Sequence, residues 1–255
     1  MTTADSGPTW SDIATWYDDL VRAGSGPHET ALDCLLRLVP PLRGAEVLDL
    51  ACGQGLASRA LADSGARRVV GVDASAAMIE LARGHDTARS NDVSYVLDDG
   101  QQLAAFDDRA FDGVTCQLGL MDIPDLHATL ASVSRVLKPG GWFVFVIGHP
   151  CFLVPEAARV MSDGGRPAVT VTGYFDERFW RSSNPNGVRR AGNHHRTLST
   201  YLNALSQTGL RLEVADEPFA SPRLAEQQPL YTEVPIFFAA RTRKAARSAG
   251  RVNVG

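Results

Sequence analysis

Apolar and polar positions along this chain repeat in two periods. Val47-Leu48-Asp49-Leu50, entered after Pro40, Pro41 and Gly44, is a short apolar run. It breaks into Ala51-Cys52-Gly53-Gln54-Gly55, then resumes at helical spacing as Leu56-Ala57-Ser58-Arg59-Ala60-Leu61-Ala62. This pattern predicts a strand, a tight turn and a helix. Val69-Val70-Gly71-Val72 predicts a second strand ending in Asp73, and Ser75 to Ala82 opens the next helix. Val93 to Leu97 predicts a third strand ending in Asp98-Asp99-Gly100-Gln101, and Phe111 to Cys116 a fourth running into Gln117-Leu118-Gly119-Leu120. A helix with Leu126, Leu130, Val133, Val136 and Leu137 inward leads through Pro139-Gly140-Gly141 to strand five, Trp142 to Ile147. Strands alternating with helices mark an α/β fold.

Ahead of the first strand, Thr9 or Ser11 can cap a helix carrying Ile13, Trp16, Leu20 and Val21 on one side. Leu32, Leu35, Leu36 and Val39 give a second helix that stops at Pro40-Pro41 and packs on the sheet, so residues 9–40 form an N-terminal helical cover. Residues 151–193 mix Pro, Gly, Arg and aromatics without a steady period. A stretch of that length within a compact domain is expected to be an inserted lid that covers an acceptor. Leu198, Leu202 and Leu205 then face inward on a helix ended by Gly209, followed by strand six, Leu210 to Val214, and strand seven, Val234 to Arg241. The basic tail, residues 244–255, with Arg241 and Arg243 just before it, is expected to be solvated and frayed.

The chemistry lies at the strand ends. Glycines in the first turn let a ligand approach the main chain without a Cβ in the way, and the helix start offers unpaired N–H groups. Asp73, about 20 residues further on, stands where an acid accepts both hydroxyl protons of a ribose. An acid after the third strand can take the amino group of an adenine. Three successive strand ends would then hold a nucleoside. A nicotinamide-dependent dehydrogenase shares the strand, glycine turn and ribose acid. The paired acids after strand three, the Lys138-Pro139-Gly140-Gly141 turn and the closing pair of strands argue against it.

These residues resemble the class I S-adenosylmethionine-dependent methyltransferases, in particular the group similar to the ubiquinone and menaquinone biosynthesis methyltransferases. Leu48 to Gly55 matches the family's first motif, Gly71 to Ser75 its second, Val96 to Leu103 its third, Phe111-Asp112-Gly113-Val114 its fourth and Val136 to Gly141 its fifth. The five fall in order over residues 46–148. Ala51 departs from the pattern, standing where the family often has the loop's first glycine. The resemblance implies a three-layer Rossmann-like sandwich with a seven-stranded, mostly parallel sheet whose last strand is antiparallel. It implies S-adenosyl-L-methionine as cofactor, with S-adenosyl-L-homocysteine as product. Cofactor contacts are implied for Ala51, Gly53, Gln54, Asp73, Ala74, Asp98, Asp99, Gly100, Gln101 and Gln117. Met78 is placed against the adenine face, where it can equally fill a gap in the core. Arg59 is placed where its guanidinium meets the methionine carboxylate, or stays a solvated surface arginine. In this family a Tyr-Asp pair on an N-terminal helix often closes over the site, which makes Tyr17 a site candidate, against the alternative that Trp16 and Tyr17 only anchor the helix.

In a chain of 255 residues with net charge −4 and a pI of about 5.9, no basic field recruits nucleic acid or an anionic membrane. Gln117-Leu118-Gly119-Leu120 also differs from the Asn/Asp-Pro-Pro-aromatic signature of enzymes that methylate amino groups of DNA bases. The expected acceptor is a small molecule, bound by a monomer or homodimer. Cys34, Cys52, Cys116 and Cys151 lack paired spacing and read as reduced thiols of a cytoplasmic enzyme. No stretch reaches the roughly 18 apolar residues of a membrane span, and the N-terminus lacks a signal-peptide core.

Methyl transfer from a sulfonium chiefly needs alignment, with a base where the nucleophile arrives protonated. His149 ends strand five and leads into the insertion, while His194 and His195 close it, so the insertion's ends can bring imidazoles together. His149 or His195 is the leading candidate for an acceptor-orienting group or base, against a structural hydrogen bond at a hinge. The three histidines lack a carboxylate or cysteine at zinc spacing. Asp122 and Asp125 can in principle hold Mg²⁺, and a helix-start role explains Asp125 equally well; no metal is expected. A non-catalytic nucleoside-binding partner protein stays open as an alternative to the enzyme.

Overall fold

A computed structural model describes residues 7–86 and 93–246. Its centre is a seven-stranded sheet in the order β10-β11-β5-β4-β1-β2-β3. These strands are β1 (Glu46–Leu50), β2 (Arg68–Asp73), β3 (Val93–Leu97), β4 (Phe111–Gln117), β5 (Leu137–Gly148), β10 (Leu210–Asp216) and β11 (Phe237–Lys244). β1 to β5 pair in parallel. β11 runs antiparallel to both of its neighbours, β5 and β10. The order reverses beside β1, where open α/β sheets bind ligands at the carboxyl ends of their strands.

The inner strands are rich in buried apolar residues because both sheet faces are covered there, whereas the edge strands β3 and β10 are largely exposed. Leu48, Leu50, Val70, Val72, Phe143, Phe145 and Ile147 pack on one face against α5 (Leu126–Val136) and α6 (Leu198–Gln207). Val47, Val69, Trp142, Val144 and Val146 point the opposite way, toward α2 (Gly26–Leu38), α3 (Leu56–Asp63) and α7 (Pro222–Gln227). α4 (Ala76–Asp86) closes the β2–β3 edge with Ile79 and Ala82 against Tyr95. The Lys138-Pro139-Gly140-Gly141 turn is looped out of β5, since the partner of β4 jumps from Leu137 opposite Phe111 to Trp142 opposite Gly113. A Cβ at Gly113 would lie 2.1 Å from the Trp142 ring, so only glycine admits that indole.

α1 (Trp10–Arg22) begins with a reciprocal cap between Thr9 and Asp12. It is fastened to α4 by Ser11 Oγ against Ser75 Oγ at 2.8 Å and by Asp18 Oδ1 against His85 Nε2 at 2.8 Å.

The insertion after β5 has more regular structure than its composition suggests. β6 (Ala158–Met161) pairs with β7 (Pro167–Thr170), and β8 (Arg178–Trp180) with β9 (Asn193–His195), with a 3-10 turn at Val188–Ala191 before β9. Here the guanidinium of Arg190 lies 4.0 Å from the Trp16 ring centre. Strand seven starts at Phe237 rather than Val234, because Pro229–Thr232 form a 3-10 turn and Pro235 has no N–H to give a ladder. The basic tail is corrected at its start. Lys244 ends β11 and donates to the Leu137 carbonyl at 2.8 Å, while Arg241 and Arg243 share Glu213. Residues 247–255 lie outside the described part.

Candidate functional site

The turn after β1 is built on left-handed backbone: Ala51 (φ 54°), Gly53 (φ 54°) and Gly55 (φ 84°). Glycine takes this conformation freely, whereas the Ala51 methyl costs on the order of 1–2 kcal/mol. That methyl packs against Gly119, where a Cβ would stand 2.4 Å away. At the end of β2, Asp73 accepts the N–H of Gly53 (2.9 Å) through one oxygen and that of Ser75 (2.8 Å) through the other. Each oxygen keeps a free lone pair for a ligand hydroxyl. Burial pushes the Asp73 carboxyl above its ordinary value, opposed by these amides. Behind the turn, the buried Asp49 accepts Ser58 Oγ at 2.6 Å and Thr115 Oγ1 at 2.9 Å, joining β1, α3 and β4; burial raises its pKa to about 6.

A cavity of about 590 Å³, counting its open mouth, brings together Tyr17, Ala51, Gly53, Asp73, Ala74, Met78 and Gln117 from the sequence-predicted set. Trp10, Leu118, Asp122 and Ile123 complete its walls. A recess of about 380 Å³ next to it adds Gln54, Asp49 and His28. The remaining predicted residues stand outside both. Asp98 is occupied by the N–H groups of Asp99 and Ala105, and Asp99 by the N–H and amide of Gln101. Gly100 touches the cavity only at second hand: its Cα face packs on Ile123, which lines the wall.

Arg59 turns its guanidinium onto the glycine turn. Its guanidinium donates to the Gln54 carbonyl (2.7 Å) and to Gln54 Oε1 (2.6 Å), so it positions that buried amide. The two candidate histidines stand apart from the cavity as well. Neither His149 nor His195 lines the cofactor cavity. His149 Nδ1 accepts the Cys151 N–H, which leaves Nε2 to donate to Glu217 at 2.7 Å; burial lowers its pKa, opposed by that carboxylate. His195 Nε2 donates to the Tyr174 carbonyl at 2.8 Å. Both rings fasten the insertion, the hinge role weighed against catalysis.

The imidazole at the cavity is His28, which no neighbouring residue in the chain singles out. Its Nε2 meets Tyr17 Oη at 2.9 Å and its Nδ1 meets Ser25 Oγ at 2.7 Å. Burial, reinforced by the positive Arg189, lowers the His28 pKa to about 4. The ring is therefore neutral at physiological pH. Burial raises the Tyr17 hydroxyl above its ordinary value, so the phenol stays protonated.

Asp122 was weighed only as a metal ligand. It sits in a turn held by Arg196, whose guanidinium donates to the carbonyls of Leu120 (3.1 Å), Ile123 (2.7 Å) and Pro124 (2.7 Å). Asp122 Oδ1 is buried without a hydrogen bond among the described residues, and its nearest cation is Arg189 Nη1 at 3.5 Å. Burial pushes the Asp122 carboxyl up to about 7, against the pull of Arg189. Gln117 Oε1 is likewise buried and unpartnered. Asp125 caps α5 through the Ala128 N–H at 2.9 Å, which accounts for it without a metal. Among the described residues no cluster of ligating side chains could hold a metal ion.

The polar walls of the cavity thus offer mainly acceptors, from Asp73, Gln117 and Asp122, beside apolar surface from Met78, Leu118 and Ile123. A ligand that fits brings hydroxyl, amino and cationic groups on a flat apolar ring system, which is the donor set of S-adenosylmethionine. Fold and site define a nucleoside-binding α/β enzyme with a helical roof. Residues 48–145 match the family model described as a methyltransferase domain. Over 194 residues the chain is 32% identical to the ubiquinone biosynthesis O-methyltransferase of Proteus mirabilis, covering 70% of this chain and 77% of that protein. The counterpart in Thiobacillus denitrificans is 39% identical over 105 residues, 41% of this chain. That match spans less than half, 45%, of the Thiobacillus protein's length. Among solved structures, an S-adenosylmethionine-dependent methyltransferase from Mesorhizobium loti is 26% identical with a TM-score of 0.70, covering 87% of this chain and 99% of its own. The [4+2]-cyclase SpnF, 15% identical with a TM-score of 0.60 over 94% of this chain and 97% of its own, shares the fold alone. The chain belongs to the S-adenosylmethionine-dependent methyltransferase family.

Proposed function

We propose that the protein moves a methyl group from S-adenosylmethionine to an oxygen, nitrogen, sulfur or carbon atom of a small-molecule acceptor, as a cytoplasmic enzyme. One observation carries the reading: residues from the ends of β1, β2 and β4 and from α1 and α4 line a single cavity whose unpaired polar atoms are acceptors. The bound cofactor supplies an electrophilic methyl on a positive sulfur and leaves as S-adenosylhomocysteine.

In this reading the Gly53 backbone allows close approach of the ligand, and Asp73 holds the ribose hydroxyls. Ala74 and Met78 form the apolar wall beside the base, and Gln117 Oε1 takes an amino proton. Tyr17, fixed by His28, roofs the cavity and excludes water, which strengthens every charge interaction beneath it. Asp122 receives the acceptor's proton when the acceptor arrives protonated, since a carboxyl near 7 can both take and release a proton at neutral pH. Catalysis otherwise rests on alignment, for which fixed walls suffice. No helix among the described residues is long and apolar enough to cross a membrane.

The test is in two parts. Calorimetry should show S-adenosylhomocysteine binding in preference to NAD, and methyl-labelled donor should pass label to members of a panel of small hydroxyl, amine and thiol compounds. Absence of S-adenosylhomocysteine binding by folded protein would end the proposal. Binding without label transfer to any acceptor would favour a non-catalytic partner protein.

A further inference from the structure

Beneath the inserted segment lies another cavity, about 870 Å³ with its open mouth, to which the cofactor reading assigns nothing. Leu153, Val154, Leu230 and Val234 give it apolar walls. Its polar lining combines the hydroxyls of Ser182 and Tyr231 with N–H donors. Arg159, Trp180 and Arg189 present N–H donors, and no lining residue is acidic.

Two of these donors, on Trp180 and Arg189, are poorly satisfied within the chain. The Arg189 side chain is only 22% exposed, and its one recorded partner among the described residues is Asp122 at 3.5 Å, beyond good hydrogen-bond length. Trp180 Nε1 is buried with no acceptor. Arg159 is exposed at the mouth, where it donates to Gln228 Oε1 (2.9 Å) and Tyr231 Oη (3.1 Å), both neutral, and lies 5.4 Å from the Tyr231 ring centre, so it adds a positive charge at the entrance that none of these contacts cancels. Buried donors and guanidinium groups without partners are costly unless something supplies acceptors. A carboxylate does so best, because it accepts two guanidinium N–H groups at once.

We propose that this cavity binds the body of the methyl acceptor, and that the acceptor is an amphipathic organic anion: an apolar, ring-containing small molecule bearing one carboxylate or comparable anionic group. The proposal rests on the methyltransferase reading only for calling this ligand the acceptor. Arg189 makes the link, because it borders this cavity and faces Asp122 in the cofactor cavity. A ligand anion held by Arg189 therefore lies one ion pair away from the carboxyl assigned to take the acceptor's proton.

The experiment uses the full chain and two isosteric probes, 2-naphthoate and the neutral 2-naphthylmethanol, titrated by calorimetry with S-adenosylhomocysteine as a separate ligand. Naphthoate is expected to bind at least about tenfold more tightly than the alcohol. Arg159→Gln and Arg189→Gln should each bring naphthoate close to the alcohol's affinity, and Arg159→Gln should leave S-adenosylhomocysteine binding unchanged. Trp180→Phe keeps the apolar wall and removes one N–H, so it should weaken naphthoate a few-fold and spare the alcohol. In label-transfer assays naphthoate should inhibit competitively against the acceptor. Equal affinity for the two probes, no binding of either, or a preference that survives in all three variants would overturn the site. Naphthoate binding without inhibition of transfer would overturn its role as the acceptor site. Naphthoate binding by protein that ignores S-adenosylhomocysteine would leave the cavity standing and remove the methyltransferase reading.

Discussion

The cofactor end and the inserted segment hold polar groups by opposite means. At the strand ends, acids are held by nearby main-chain amides: Asp73 by Gly53 and Ser75, Asp98 by Asp99 and Ala105, Asp99 by Gln101. In and around the insertion, arginines reach distant carbonyls. Arg196 takes those of Leu120, Ile123 and Pro124, and Arg181 takes those of Pro8 and Arg190. Apart from the Gly53 N–H, which reaches Asp73 across one strand–helix–strand unit, these amides lie within 7 residues of their acid, a local device that leaves a trace in the spacing of residues. A guanidinium on a carbonyl some 70 positions away, as Arg196 is, leaves none. The first region is therefore set by its own turns, and the second by docking against the rest of the molecule.

The largest expected effect tests that dependence. Arg196→Met removes the donors for three carbonyls, each costing about 1–3 kcal/mol if left buried and unpaired, less whatever water recovers. A loss of about 4 kcal/mol in urea denaturation is expected, with weaker S-adenosylhomocysteine binding, because Asp122 and Ile123 lose their support. A loss under about 1 kcal/mol would show that the turn stands without the insertion.

Next comes His28, where the two regions meet electrostatically. Its folded pKa of about 4 lies below the ordinary 6.5. The stability gained by keeping the ring neutral is complete above about pH 6.5 and is lost as the pH falls toward about 4. The total is on the order of 3 kcal/mol. Denaturation at pH 7 and pH 4.5 should show this loss in the wild type and much less of it in His28→Gln. Arg189→Gln should shrink it slightly, since burial is the larger cause and Arg189 the smaller. No difference between wild type and His28→Gln would mean that the ring is not held neutral.

Asp73→Ala should weaken S-adenosylhomocysteine binding by about 100-fold, or about 2.7 kcal/mol, as expected for losing charged hydrogen bonds to two hydroxyls. Unchanged affinity would refute the ribose assignment. Ala51→Gly is the smallest case. Relief of left-handed backbone, about 1 kcal/mol, is nearly offset by the entropy of a glycine in the unfolded chain. Stability should stay within about 0.5 kcal/mol and cofactor affinity within about twofold. A large loss would mean that the methyl seated on Gly119 fixes the turn.

The contrast also explains what could be read in advance. The five parallel strands, the glycine turn and Asp73 were legible because strands buried on both faces are continuous Val and Leu runs and their ends have fixed chemistry. Gly113 belonged to a recognised motif, but its reason, the Trp142 ring, is visible only across the sheet. His28 was hidden because nothing beside it in sequence foretells Tyr17 and Ser25 as partners. Asp122 offered the sequence reading only a Mg²⁺ role that was not expected, because its neighbour Arg189 comes from the aperiodic insertion. His149 and His195 show the converse: a strand end and a segment boundary suggest function, and their partners, Glu217 and the Tyr174 carbonyl, come from remote positions. Arg59 sat one turn into the right helix but was taken by Gln54. In the tail, Lys244 looked like one more solvated charge until its contact with the Leu137 carbonyl was placed.

α1, held by α4 on one flank and by Arg190 on the other, carries two of the four tryptophans, Trp10 and Trp16. A third, Trp180, rides on the insertion, and Trp142 is locked in the sheet at 5% exposure. Indole emission is thus a built-in gauge of the roof over the cleft, with one silent reference in the core. Opening or closing can be followed in the native protein by ultraviolet light alone, with no dye attached.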